Sequence, residues 1–258
     1  MTAGGGNRGT TIRWVVGTLL TLTFGVVAIW QAEKALDASE PRPARIEVAD
    51  FSVADARRAL GGQKLDMTLH NRGDELIVIK RVRLRVLDKG VVRSCYVQGG
   101  GGGPIDADPY DAFISNRTRV GQVIPVSLRY SIDGNDARRI VIHVTSPKDE
   151  QRFLGVGEKR AIYQLSVELI AGAEGKTIQV GKALVALPAA PYEVGFHWTT
   201  DLRSPEEIQG TFGALGFPFD ALPCWRRNAR TLKRILDQPG RRAARLHELE
   251  SEVTMPWE

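Results

Sequence analysis

The nine residues "IPVSLRYSI" (residues 124–132) alternate between apolar and polar side chains. The apolar members are Ile124, Val126, Leu128, Tyr130 and Ile132. Because successive side chains of a β-strand point to opposite faces, this period of two predicts a strand with one face buried and one face in water.

The same alternation recurs along the chain and predicts eight strands. They are residues 45–53, 64–70, 76–88, 91–97, 124–132, 139–144, 161–170 and 177–187. Turn-forming stretches such as "NRGDE", "DKG" and "DGND" separate them, without a long amphipathic helix between strands. Short connections imply antiparallel pairing, and two stacked sheets would bury the apolar faces. We therefore predict a mainly β protein with an antiparallel immunoglobulin-like β-sandwich over residues 45–187, although it lacks the Cys and Trp spacing of true immunoglobulin domains.

An uncharged stretch, "WVVGTLLTLTFGVVAIW" (residues 14–30), precedes the predicted strands. At 1.5 Å per residue a helix of this length reaches about 26 Å, near the lower limit for crossing a bilayer. Trp14 and Trp30 stand where interfacial aromatic residues are enriched. We predict a transmembrane helix over residues 12–32, after a flexible leader (1–11) and before a Pro-containing stalk (33–44). A cleaved signal peptide is the alternative, but Trp30 is large for the position before a cleavage site, which favours a retained anchor.

The orientation of this anchor follows from the basic residues around it. Arg8 and Arg13 lie before it, whereas Lys34, Arg42 and Arg45 follow it. The nearest flanks favour an amino terminus inside the cell and a carboxy-terminal domain at the external face of a bacterial membrane. A domain facing the cytosol stays open as the alternative.

The basic character of the chain is concentrated near its end. The net charge is +5, but residues 221–249 hold eight Lys/Arg against two acids, a net of +6, which leaves −1 for all other residues. A polyanion-binding surface over the whole protein is therefore not supported. We predict a basic amphipathic helical tail over residues 224–258, with a second short helix after Pro239 and Gly240.

Within the tail, "WRRNARTLKRIL" (residues 225–236) separates two faces when drawn as a helix. The apolar stripe consists of Trp225, Ala229, Leu232 and Leu236, with Ile235 beside it. The basic side chains around the rest are Arg226, Arg227, Arg230, Lys233 and Arg234. We expect the stripe to pack on the sandwich and the basic residues to face outward, either into solvent or toward anionic headgroups or an acidic partner.

The chain has two cysteines, Cys95 and Cys224, which excludes a disulfide-dense miniature fold and a thiolate metal cluster. In an external domain they could form a disulfide that clips the tail onto the sandwich. Between them, residues 188–223 mix Pro, Gly and aromatic residues. We expect this segment to pack on the sandwich, the alternative being a patch that docks a partner.

No motif indicates a catalytic, cofactor or metal site. "GAEGKTIQ" has Ile170 where a phosphate-binding loop needs its first glycine. Asp106, Asp108 and Asp111 cluster in a loop that does not match an EF-hand. The histidines are scattered without ligand spacing; they are His70, His143, His197 and His247.

One strand carries a row of arginines, Arg81, Arg83 and Arg85. We expect them to pair with acids on neighbouring strands, and since this face lacks base-stacking aromatics, nucleic acid is not a predicted ligand. The predicted function is a non-catalytic interaction or structural module with an unidentified protein partner. Two alternatives remain: a membrane-tethered enzyme with a site formed by residues 99–111 and the segment near His197, or a cytosolic module that binds an acidic partner through its tail.

Overall fold

The computed structural model describes residues 41–55, 62–93, 110–147, 159–187, 222–244 and 246–247. The chain divides into two units, Met1–Pro43 and Ala44–Glu258, and the elements below all belong to the second. The predicted leader, anchor with Trp14 and Trp30, and stalk up to residue 40 lie outside the described residues, as do residues 188–221. Among the described residues, no helical segment combines the length and apolar character needed to cross a membrane.

The described elements are nine strands and one helix. In chain order they are β1 (Ile46–Asp55), β2 (Gln63–Asn71), β3 (Ile77–Arg93), β4 (Asp111–Phe113), β5 (Val123–Ile132), β6 (Ala137–Thr145), β7 (Lys159–Ala171), β8 (Lys176–Leu187), α1 (Leu222–Leu236) and β9 (Arg241–Arg242). Sheet A has the strand order β1–β2–β6–β4, and sheet B has the order β5–β3–β7–β8–β9.

The prediction of a mainly β protein with two sheets is confirmed. Purely antiparallel pairing is wrong in two places, because β4 runs parallel to β6 and β9 runs parallel to β8. The two predicted strands 76–88 and 91–97 begin as one continuous 17-residue strand, β3. The "DKG" stretch continues this strand because β7 pairs along it, from Ile79 opposite Ala171 to Arg93 opposite Lys159.

The two sheets enclose a common apolar core. On β2, Leu65, Met67 and Leu69 are completely buried, as the alternation predicts, while the residues between them are half-buried. Sheet B contributes fully buried side chains from β3 and β7, including Leu84 and Leu165. One face of each sheet is therefore committed to the core, and the opposite faces are left for other contacts.

A single buried side chain, Asn71, holds three loop regions together at one end of the two sheets. Its Oδ1 atom accepts hydrogen bonds from the backbone N–H groups of Arg45 and Gly73 at 3.1 Å, and its Nδ2 atom donates to the carbonyls of Glu75, Ile132 and Asp133. Asn71 thus fixes the start of β1, the β2–β3 connection and the β5–β6 turn relative to one another. The two connections also touch directly, since a Cβ atom on Gly134 would lie only 2.1 Å from the carbonyl oxygen of Asp74.

Replacing Asn71 with alanine is expected to destabilise the protein by about 2–4 kcal/mol, because several backbone groups lose their partner inside the fold. The measurement is the midpoint of thermal unfolding of the purified full-length protein. Ser131→Ala, at an exposed position of β5, is the control and should change stability by less than about 0.5 kcal/mol. Equal midpoints for the two variants would contradict the role assigned to Asn71.

Candidate functional site

Helix α1 packs on the outer face of sheet B. Its buried residues Ala229, Leu232 and Leu236 are members of the predicted apolar stripe, and Ile235 is buried beside them. The side chain of Trp225 lies outside the description. The cluster beneath the helix consists of Val92, Ile162, Leu184 and Ala186 from the strands, with Leu232, Ile235, Leu236 and Leu246 from the tail. The helix therefore covers one half of the outer face of sheet B.

The close approach of α1 to β3 depends on a glycine. A Cβ atom on Gly90 would lie 3.1 Å from Cγ2 of Thr231 and 3.3 Å from Cβ of Ile235. Such distances are tighter than ordinary carbon contacts, so a larger residue here would push the helix away from the strand.

Polar contacts fix α1 to the same strand at its middle and near its carboxyl end. Asn228, in the middle of the helix, is 2% exposed, and its side-chain amide accepts from the N–H of Arg93 at 3.2 Å and donates to the carbonyl of Arg93 at 2.8 Å. Near the carboxyl end, Arg234 forms an ion pair with Asp88 and donates to the carbonyl of Lys89 at 2.8 Å. The helix is thus clamped to β3 by two anchors as well as by its apolar stripe.

Cys224 adds a covalent link near the first anchor. It is disulfide-bonded, and its Sγ atom lies 3.9 Å from the carbonyl oxygen of Arg93. Cys95 is the one other cysteine of the sequence and follows Arg93 by two residues, but it lies outside the described residues. The position of Cys224 is therefore the one that the predicted clip requires, and the pairing with Cys95 stays a prediction.

The second helix predicted after Gly240 starts later than predicted: Ala244, Leu246 and His247 are helical, but a short strand precedes them. Arg241 and Arg242 form β9 beside Ala183 and Leu184 of β8. The side chain of Gln164 donates to the carbonyl of Pro239 at 2.8 Å and so holds the turn against sheet B. With the turn held there, the backbone of the next residues reaches the free edge of β8 and pairs with it. The predicted helix of the tail begins at Leu222, two residues before the predicted boundary.

The basic side of α1 faces away from sheet B. Arg226, Arg227, Arg230 and Lys233 are all exposed, and none of them has an acidic partner in the part of the chain that the structure describes. No acidic residue occupies the first turn of the helix. The fifth predicted residue, Arg234, is different because its charge is engaged by Asp88. The structure thus brings together four free cations and assigns the fifth to docking.

The three arginines in the row on β3 differ in whether they form an ion pair. Arg83 pairs with Glu168 of β7 at 2.9 Å and donates to Thr177 at 3.2 Å, as expected for a row that pairs across strands. Arg81 and Arg85 have no ion pair among the described residues, so the expectation is wrong for these two.

The pairing register explains the difference between these arginines. Arg81 lies opposite Ser127 and Ile170, and Arg85 lies opposite Val123 and Ser166. None of these four neighbours is acidic, whereas Arg83 lies opposite Glu168.

The outer face of sheet A carries a more balanced set of charges. Arg139 donates to Asp66 at 2.8 Å through Nε, and this hydrogen bond holds the pKa of Asp66 below its ordinary value. Arg72 pairs with Glu47 at 2.9 Å. Among the described residues, Arg139 and Arg72 are thus paired with acids, unlike Arg81 and Arg85 on sheet B.

The residues of the enzyme alternative are only partly described. Asp111, on β4, has a nearly buried carboxylate whose Oδ1 atom lies 4.0 Å from Nδ1 of His143. Asp106, Asp108 and His197 lie outside the described residues. Among the described residues, no group of three or more His, Cys, Asp or Glu side chains is arranged to hold a metal ion.

Sequence reasoning missed one concave feature, a groove of about 600 Å³ between the edges of the two sheets. It is lined by residues 48–51 of β1, 180–182 of β8 and 239–241 of the tail. The ring of Phe51 lies against Gly181, where a Cβ atom would approach it to 2.9 Å. No local pattern could predict this groove because three distant segments form it.

Comparison with known proteins gives no identity. No family model matches the chain, and no curated protein matches its sequence. Among solved structures, the crystal structure of the putative ApaA protein from Bordetella pertussis matches with a TM-score of 0.28 and 9% identity, over 58% of this chain and 100% of that chain. A likeness this weak does not indicate a shared fold or function.

The clamp at the middle of α1 can be tested with Asn228→Ala. This substitution leaves the N–H and carbonyl of Arg93 without their partner under the helix, so we expect a loss of about 1–3 kcal/mol of stability. The measurement is the thermal unfolding midpoint of the full-length protein. Arg227→Ala, one residue earlier on the exposed face, is the matched control and should stay within about 0.5 kcal/mol of the parent protein. A larger loss for Arg227→Ala than for Asn228→Ala would contradict the clamp.

Proposed function

We propose that this chain is a single-pass membrane protein whose β-sandwich stands at the external face of a bacterial membrane and acts as a non-catalytic interaction or structural module. Residues 12–32 are the proposed anchor, with Trp14 and Trp30 at the two interfaces. The stalk, residues 33–44, keeps the sandwich within a few nanometres of the bilayer, since twelve residues span at most about 40 Å.

The sandwich is proposed to be immunoglobulin-like. The chain order supports this, because β1, β2 and β6 lie in sheet A while β3, β5, β7 and β8 lie in sheet B. Since β4 also lies in sheet A, the chain crosses between the sheets after β2, β3, β4, β5 and β6. Crossings between the two sheets are also a feature of the Greek-key connections of immunoglobulin-like sandwiches.

The observation that carries the proposed function is the exposed basic side of α1. Arg226, Arg227, Arg230 and Lys233 have no acidic partner among the residues that the structure describes, and the helix that presents them is fixed to β3 through Asn228. Because the helix is fixed, the backbone positions of these basic residues are set before they meet an anionic surface. Binding therefore does not have to order the backbone. Such a surface is close to any anchored domain, and each basic residue near it contributes about 1 kcal/mol.

The proposed location predicts the outcome of two measurements. A reporter enzyme that is active only outside the cytoplasm, fused after Glu258, should be active, because the fused end would lie on the external side. Thiol counting on the unreduced, denatured protein should find no free thiol, because an oxidising compartment allows Cys95 and Cys224 to pair. An inactive reporter together with two free thiols would support the cytosolic alternative instead.

The proposed headgroup contact predicts a loss on neutralising α1. Full-length protein carrying a fluorophore at Asp237→Cys is reconstituted into vesicles that contain a headgroup quencher. Quenching should be stronger in vesicles of equal phosphatidylglycerol and phosphatidylcholine than in phosphatidylcholine alone. The triple variant Arg226→Gln, Arg227→Gln, Arg230→Gln should remove most of that difference; Arg234 is left intact to preserve docking.

The control for this experiment removes the same three positive charges from the sheet A side. It combines Lys64→Gln, Arg138→Gln and Arg139→Gln, and it should keep the dependence on anionic lipid. If the control variant and the α1 variant lose the same share of the lipid-dependent quenching, the contact depends on net charge and not on the basic side of the helix.

A further inference from the structure

Beyond the part of sheet B that α1 covers, its outer face carries further cations that have no ion pair among the described residues. Arg81 and Arg85 lie on β3, and Arg129 lies on β5, two residues along the same face from Ser127, which is opposite Arg81. Arg81 and Arg129 are exposed and Arg85 is half-buried. None of the three has an ion pair within the described residues. We call these three residues the strand cations.

The outward side of these strands offers the strand cations no internal partner. Among the described residues it has two acids, Glu168 and Asp88, and each is already paired: Glu168 with Arg83, and Asp88 with Arg234. Gln179 also donates to Glu168 at 3.1 Å and occupies one of its oxygens. Any partner for the strand cations must therefore come from outside the sheet.

The strand cations continue the basic side of α1. The helix follows β3 from Arg93 to Asp88, as the contacts of Asn228 and Arg234 show. Arg85 is three residues beyond Asp88, which corresponds to about 10 Å along a strand. Both sets project from the same outer face of sheet B, so they form one positively charged side of the domain.

We propose that the strand cations and the basic side of α1 together bind the surface of an anionic bilayer, so that sheet B faces the membrane and sheet A faces away from it. This inference rests on the proposed function, because it requires that the domain be tethered to a membrane. It goes further by extending the contact to a strand row on a second element and by fixing the orientation of the sandwich.

Charge and shape favour a bilayer as the partner. Neighbouring cations are separated by about 5–13 Å along and across the strands, which suits many separate headgroups better than one compact anion. The outward positions of the described part of sheet B hold no aromatic side chain. Stacking on aromatic side chains is the usual means of binding single-stranded nucleic acid, so nucleic acid is not favoured.

The test measures which face of the sandwich lies near the membrane. Full-length protein is reconstituted into vesicles with a headgroup quencher and labelled at either Ser127→Cys, on sheet B, or Ala54→Cys, on the outer face of sheet A. With equal phosphatidylglycerol and phosphatidylcholine, the label on sheet B should be quenched and the label on sheet A should not. In phosphatidylcholine alone, quenching at Ser127→Cys should fall.

Neutralising the strand cations separates this inference from the proposed function. Arg81→Gln, Arg85→Gln and Arg129→Gln together should lower the ratio of docked to undocked protein about 100-fold, at one headgroup contact per side chain. The sheet A control variant should leave this ratio unchanged. An unchanged thermal midpoint verifies that the strand variant is folded.

Three results would overturn the inference. Equal quenching of the two labels would show that the sandwich has no preferred face toward the membrane. A loss of quenching for the α1 variant alone would confine the contact to the helix, which leaves the proposed function standing. If neither variant lowers quenching, the headgroup contact of the proposed function fails as well.

Discussion

The continuous course of β3 is the constraint on which the described structure depends. Its first half pairs with β5 and β7 and supplies core residues, while its second half, after the irregularity between Val86 and Asp88, pairs with β7 alone. That second half is the platform for α1: it supplies Asp88, Gly90, Val92 and Arg93, which contact the helix through an ion pair, a close approach, an apolar contact and hydrogen bonds. A strand that turned at "DKG" would leave the tail without this support.

Strands and helices were predictable from the sequence wherever one face is buried and the other faces solvent. The alternation of Leu65, Met67 and Leu69 with polar residues predicts β2, and a period of 3.6 residues predicts the apolar stripe of α1. The "DKG" stretch was wrongly predicted to be a turn. Turn-forming residues do not indicate how far the partner strand β7 extends, and β7 pairs with β3 through this stretch. The parallel strands β4 and β9 have three and two residues, too few for any period to be recognised.

The candidate site was predictable in its composition but not in its pairing. Five basic residues of α1 look equivalent in sequence. Within the described part of the chain, Arg234 is the one that meets an acid, because packing brings it to Asp88, which is 146 residues away. The same holds for the row on β3, where the register places Glu168 opposite Arg83 and leaves its neighbours with polar or apolar partners. Charge counting also hid the strand cations, because all residues outside 221–249 together sum to a net charge of −1.

Helix α1 follows β1–β8 along the chain, which bears on the order of folding. The patch it covers, Val92, Ile162, Leu184 and Ala186, belongs to strands that are synthesised earlier. Until the tail emerges from the ribosome, these four apolar side chains have no cover from the helix, and the edge of β8 has not yet received β9. Sheet B is therefore completed only after Arg242 has been synthesised. A chain that stops short of Leu222 lacks both the helix over this apolar patch and the strand that pairs with β8, and exposed apolar patches and unpaired strand edges promote aggregation.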